Sequence, residues 1–241
     1  MAMHWHHTPA FEAFLRKRGF QVVVTARHPL DVLISILHFA PLEPATARWL
    51  EGECGNEKPL IGADPASASF ANYCLSDRTE ALLSVSREWR NVAEAVIRFE
   101  DLLAAPVAVC RQMLQGLKAE PLAGIEEVVA ANTVEKLRPI SATHVWRGQA
   151  GSWKAVITPA LANKILERHR PYFDDLQYNC DPSPDLDAST ARQNWDQMAS
   201  EGVVRSSKSS ATADPPPRSH HVSPHVMEPR STASADAHRI L

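Results

Sequence analysis

Residues 20–26 read Phe-Gln-Val-Val-Val-Thr-Ala, a β-branched run without polar alternation, which is the pattern of a parallel strand buried on both faces. Arg27, His28 and Pro29 follow, and then an apolar stretch over residues 30–38 with Asp31 near its start. Proline at a helix start and an acid in the first turn both favour a helix there. Upstream, Phe11, Phe14, Leu15 and Arg18 share one helical face, and Gly19 follows where a helix-ending glycine belongs. Strand, turn and helix in this order are the unit of a parallel α/β sheet.

A second such unit is expected downstream: a helix over 78–95, a strand over 96–99, the acids Glu100 and Asp101, and a helix over 106–117. Further helices are expected over 125–132 and 159–170, with a basic, glycine-containing stretch, Trp-Arg-Gly-Gln-Ala-Gly-Ser-Trp-Lys, at 146–154 between them. Residues 40–76 hold Pro41, Pro44, Gly52, Gly55, Pro59, Gly62 and Pro65 and read as a long functional loop or lid, where substrate selection would reside. Beyond Met198 the composition turns to Ser, Pro, Ala and His, too poor in large apolar groups to offset ordering entropy, so disorder is expected. The division is a 1–180 α/β domain, a 181–198 extension and a 199–241 tail.

The chain has 241 residues, a formal net charge of -3 and a pI of about 6.4. These values argue against a nucleic-acid coat, so any anion site must be local. Cys54, Cys74, Cys110 and Cys180 show no CxxC spacing, and no cleavable signal is evident at Met1. Reduced thiols and a cytoplasmic location are expected. No apolar run approaches the roughly 20 residues that span a bilayer, so no membrane association is expected.

Arg27 follows the strand directly and Ser35 lies inside the next helix. Ligands of open α/β sheets bind at the carboxyl ends of strands, and an arginine beside a helix N-terminus suits a phosphate. Alternatively, Arg27 pairs with Asp31 at the boundary and Ser35 is a packing residue. The run from Val24 to Phe39 resembles the sulfotransferase block RxPxDxxxSxxxxF. In that family the Arg and Ser bind the 3'-phosphate of 3'-phosphoadenosine 5'-phosphosulfate, which implies that role for Arg27 and Ser35.

Two further blocks agree in order and distance. Arg98-Phe99-Glu100-Asp101-Leu102 resembles the family's YEDL segment, with Phe99 for the tyrosine. Residues 146–154 resemble the RKGxxGDWK loop that closes over the 3'-phosphate, which implies Arg147 and Gly148 as ligands. Aligned on Gly148, Gly151 and Trp153, the family's Arg falls on Trp146 and its Lys on Arg147. Glycines there let backbone amides approach an anion. Asn132-Thr133-Val134 resembles an adenine-contacting segment, with Val134 where an aromatic is usual.

His4-Trp5-His6-His7-Thr8-Pro9 is similar to the family's THxP-like segment, which implies His7 as catalytic base, with His6 as the next register. A histidine's unperturbed pKa of about 6.5 suits proton removal from an attacking hydroxyl. The alternatives are a metal site of His4, His6 and His7, a poor ligand set without a spaced carboxylate or thiolate, and a functionless N-terminus.

The implied fold is α/β, a three-layer sandwich around a parallel sheet of the P-loop-like sulfotransferase type. The implied reaction is sulfuryl transfer from the nucleotide to a hydroxyl or amine of a small-molecule or glycan acceptor, with no metal. No run in the chain matches the family's PxSGTTW loop, which holds the 5'-phosphosulfate. The fold is therefore expected to lack its first strand-loop-helix unit and to leave a strand edge and apolar surface exposed. Three explanations offer themselves: an incomplete product or start-site error of a full enzyme, a degenerate non-catalytic relative, or a protein completed by another chain. The His-Trp-His-His run so close to Met1 favours the first.

Overall fold

Thr8 accepts the Phe11 amide through its hydroxyl and Pro9 takes the first helical position, so helix α1 forms over Pro9–Lys17. Gly19, at φ +74°, and Phe20 return their amides to the Arg16 and Leu15 carbonyls, closing the helix in a Schellman motif. Strand β1 (Val23–Ala26) follows, and a two-residue turn leads into α2 (Pro29–Phe39). The structure, a computed structural model, describes residues 5–42, 57–140 and 145–209. His4, Cys54, residues 43–56 of the long loop and the tail beyond residue 209 lie outside them.

The described remainder of that loop contains a 3-10 turn at Lys58–Leu60 and helix α3 (Ala68–Cys74), where the sequence suggested loop alone. Ser67 caps α3 at the Phe70 amide, and Phe70, Tyr73 and Cys74 bury one face. Two turns of helix between proline and glycine breakers are too short to register as a period. Ser76 then caps α4 (Asp77–Arg90). This helix stops before residue 95 because the chain turns at Asn91, bringing the Glu94 amide to the Val22 carbonyl at 2.9 Å and starting β2 (Ala95–Arg98).

The two strands pair in parallel, Val23 opposite Ala95 through Ala26 opposite Arg98. Helices then dominate: α5 (Phe99–Ala104), α6 (Pro106–Leu117), α7 (Ile125–Ala131), α8 (Val134–Leu137), α9 (Pro159–Arg168), α10 (Arg170–Asp175) and α11 (Ala188–Ser209). The described residues thus form an α/β arrangement, mostly helical, around a small parallel sheet. Helix α11 runs past Met198, where order was expected to end. Ala191, Trp195 and Met198, at helical spacing, are buried and tie its first turns to the core, from which the backbone stays helical to Ser209.

The expectation of a strand sealed on both faces is corrected. Thr25 is exposed between buried Val24 and Ala26, and Val96 in the paired strand is 41% exposed. Two strands of four residues leave solvent access at both margins, and Phe14 and Phe20 also present apolar surface. The main core lies instead around α2, whose Leu30, Leu33, Ile34 and Leu37 pack with Phe70, Trp153, Ile165 and Phe173. A smaller cluster of Leu15, Val24 and Trp89 joins α1, β1 and α4. No helix among the described residues is long and apolar enough to cross a membrane.

Because Leu33 is completely buried in the helix that carries the core, Leu33→Ala is expected to lower unfolding free energy by about 3 kcal/mol. Leu122→Ala, at a fully exposed position, is expected to change it by less than about 0.5 kcal/mol. Urea denaturation of the two variants checks both.

Candidate functional site

The turn between β1 and α2 is fixed from three sides. The His28 amide donates to Glu100 Oε1 at 2.8 Å, and the Arg27 carbonyl accepts from Tyr172 Oη at 3.0 Å. The other Glu100 oxygen accepts from Tyr178 Oη at 3.0 Å. His28 caps α2: its Nδ1 accepts the Leu30 amide at 3.3 Å, which leaves Nε2–H to donate to the Asn179 carbonyl at 3.0 Å. Its ring stacks on Trp153 with centroids 5.0 Å apart. Burial lowers its pKa from the ordinary histidine value, so this ring is a neutral structural part.

Arg27 projects from this turn. Its guanidinium lies over the Phe99 ring at 4.8 Å, and Nη2 donates to the Gln149 carbonyl at 3.3 Å. Its Nε is buried and makes no hydrogen bond, and among the described residues the side chain forms no ion pair. Burial lowers its pKa, with Asp31 and Glu100 opposing through longer-range attraction. The boundary Arg27–Asp31 pair considered from sequence is therefore not formed.

Asp31 is committed elsewhere. This carboxylate, 1% exposed, accepts the Gly151 amide at 2.6 Å through Oδ2 and the Trp153 amide at 3.1 Å through Oδ1. It fastens the glycine-containing loop across α2. Gly148, at φ +63°, sits against Val134 so closely that a Cβ there would strike the valine side chain. The loop's other end is held by Trp146, which stacks on His38 at 3.8 Å and meets Trp195 edge-on at 5.9 Å. Arg138 donates to the Trp146 carbonyl at 3.1 Å. The Trp146 indole Nε1 is buried without a hydrogen-bond partner.

Between this loop and helices α5 to α8 lies an open cleft of about 560 Å³, within the range of small-molecule sites. Arg27, Ser35, Arg147 and Gly148 all line it, although about 120 residues of chain separate the first from the last two. Val134, Thr133 and Asn132 line it too. Arg147 donates to the Gln149 side chain at 3.1 Å. Most of the remaining wall is apolar, from Phe99, Leu102 and Leu103 to Val128, Val129 and Leu137.

His7 is not among the cleft residues. Its Nε2 is 2.9 Å from Glu12 Oε2, its amide donates to Glu88 at 3.0 Å, and its ring meets Trp89 edge-on at 4.8 Å. His6 Nδ1 also lies 3.1 Å from Glu88, and Trp89 Nε1 donates to the Trp5 carbonyl at 2.6 Å. Burial raises the Glu88 pKa, but hydrogen bonds from Ser84, the His7 amide and His6 outweigh it and hold the carboxyl below the ordinary value. Residues 5–8 are thus tied down on α4. Among the described residues no cluster of three or more His, Cys, Asp or Glu is arranged to hold a metal; His4 lies outside them.

The residues that sequence reasoning passed over are Asp31 as a loop fastener, Glu100 with Tyr172 and Tyr178 around the turn, and the His38–Trp146–Trp195 stack. The position of Asp31 four residues before Ser35 was the available signal, since it places both on one helix face. The scan against family models gives no match, and no curated protein matches the chain.

Asp31→Asn is expected to cost about 2 kcal/mol, because it replaces a charged acceptor of two amides by a group that presents N–H to one of them. Amide hydrogen exchange should accelerate at Gly151 and Trp153 in particular. A pH effect follows from His38, whose pKa burial lowers to about 4, and from His28 and His169, also lowered by burial. The unfolded chain binds protons at these rings from about pH 6.5 downward while the folded chain does not, so stability is full above that pH and falls toward about pH 5. Urea midpoints measured over this window should decline less steeply in His38→Phe than in the parent.

Proposed function

We propose that the chain is a sulfotransferase of the type dependent on 3'-phosphoadenosine 5'-phosphosulfate, with the three-layer P-loop-like fold that its sequence blocks imply. The observation that carries the reading is that Arg27, Ser35, Arg147 and Gly148, named from two separate blocks, line one cleft. Arg27 fits an oxyanion: its buried Nε lacks an acceptor and no carboxylate forms an ion pair with it among the described residues. Ser35 adds a hydroxyl, and the left-handed Gly148 on the cleft lining leaves the backbone there without a Cβ in the way of a phosphate. In this reading Arg27 and Ser35 hold the 3'-phosphate, the loop fastened by Asp31 closes over it, and the wall from Phe99 to Val134 takes the adenosine.

The nucleotide supplies the sulfuryl group, and the acceptor is a hydroxyl or amine of a small molecule or glycan. His7 is the proposed base. With Nε2–H donated to Glu12, its Nδ1 is left to accept the acceptor's proton. No metal takes part. The described cysteines are unpaired thiols, as a cytoplasmic setting would keep them.

A second reading is favoured by one specific observation. The implied base His7 is not among the residues that line the cleft, which suits a non-catalytic nucleotide-binding protein that keeps the 3'-phosphate half-site. Calorimetric titration with adenosine 3',5'-bisphosphate tests the site common to both. Binding is expected to weaken by at least about tenfold in Arg27→Ala and by severalfold in Ser35→Ala, as loss of a charged and a neutral hydrogen bond implies. A folded parent chain that does not bind the bisphosphate overturns the proposal. Bound nucleotide with turnover absent across hydroxyl and amine acceptors selects the second reading.

A further inference from the structure

The cleft has two chemically distinct ends. At one, the Arg27 guanidinium has no ion-pair partner among the described residues, its buried Nε has no acceptor, and Ser35 also lines the cleft. At the other, the described wall is a run of aliphatic side chains. Leu103 is 39% and Val128 47% exposed, so unpaired apolar surface faces the open space. A purine is read by stacking and by hydrogen bonds to its edge. Here Val134 offers no ring, and one N–H of the Asn132 amide donates to the Val128 carbonyl at 2.7 Å. Such a wall accepts a base face by dispersion without requiring one, and it suits a hydrocarbon chain at least as well.

We infer that the cleft binds a second class of ligand, an aliphatic amphiphile with one anionic head. The head sits at Arg27 and Ser35, and the chain lies along Leu102, Leu103, Val128 and Val129. Because one guanidinium serves both head and nucleotide phosphate, this ligand and adenosine 3',5'-bisphosphate exclude one another. Amphiphile level would then control access to the nucleotide site. Binding of the amphiphile itself rests on the cleft alone, not on the nucleotide reading.

The test uses the full chain in calorimetry, with decanoate, decyl sulfate and decyl phosphate below micelle-forming concentration, and with decanol and acetate as controls. At least one anionic ten-carbon probe should bind with one ligand per chain and at least about tenfold more tightly than decanol, while acetate shows no heat. Arg27→Ala should bring that probe to the level of decanol. Val128→Asp, at a half-exposed position where the fold is not at risk, should weaken decanol and the anionic probe alike. Thermal unfolding of both variants reports that they remain folded.

The tightest anionic probe identifies the head group. The inference is overturned if no anionic probe exceeds decanol, or if folded Arg27→Ala and Val128→Asp bind as the parent does, which would mean adsorption to the surface. Amphiphile binding without bisphosphate binding overturns the proposed function and leaves the cleft inference standing. Arg27-dependent bisphosphate binding with no amphiphile binding does the reverse.

Discussion

One carboxylate holds the site together. Asp31 is fully buried at the first turn of α2, and both its oxygens accept loop amides, from Gly151 and Trp153. Burying a charge is tolerable only when hydrogen bonds replace its water, and two amides beside a helix N-terminus do that. The consequence is geometric. The strand-turn-helix unit carrying Arg27 and the loop carrying Arg147 and Gly148 become one wall of one cleft. Trp153, buried under the loop and stacked on His28, joins this attachment to the main hydrophobic core.

The hydrogen bonds around the turn leave Arg27 without a direct ion pair among the described residues. Asp31 and Glu100 attract it only at longer range, and each makes its hydrogen bonds elsewhere. Asp31 holds the loop, and Glu100 holds the His28 amide and the Tyr178 hydroxyl. Leaving a buried N–H of a guanidinium without an acceptor costs about 1–3 kcal/mol. The Phe99 ring beneath the guanidinium offsets part of that cost. An oxyanion in the cleft would offset the rest, which is why the free state of this residue looks like a half-made interaction.

How far the sequence revealed this depends on the length scale of each signal. The β1 to α2 unit and helix α6 were legible because their local chemistry is strong: a β-branched run, then proline and an acid, and a twelve-residue apolar pattern behind Pro106. Helix α3 was not, because two turns between Pro65 and Ser76 leave no period to detect. In α11, Trp195 and Met198 act through position on one face, which average composition does not report. In the site, Arg27 and Ser35 were visible as residues of a strand end and helix. The role of Asp31 was hidden because its partners are backbone amides some 120 residues away, and a backbone amide has no sequence signature.

The separation of His7 from the cleft is itself structurally maintained. His7 and the segment before α1 are fixed to Glu88 and Trp89 of α4, and Ser86 of the same helix donates to the Thr25 carbonyl of β1 at 3.0 Å. Strand β1 contributes Val24 to the small cluster beneath His7 and Ala26 to the main core beneath Arg27. Two residues of one strand therefore set the spacing between the imidazole and the guanidinium, with rigid packing on each side. The imidazole is thus seated on the α1–α4 side of the strand and the guanidinium on the cleft side.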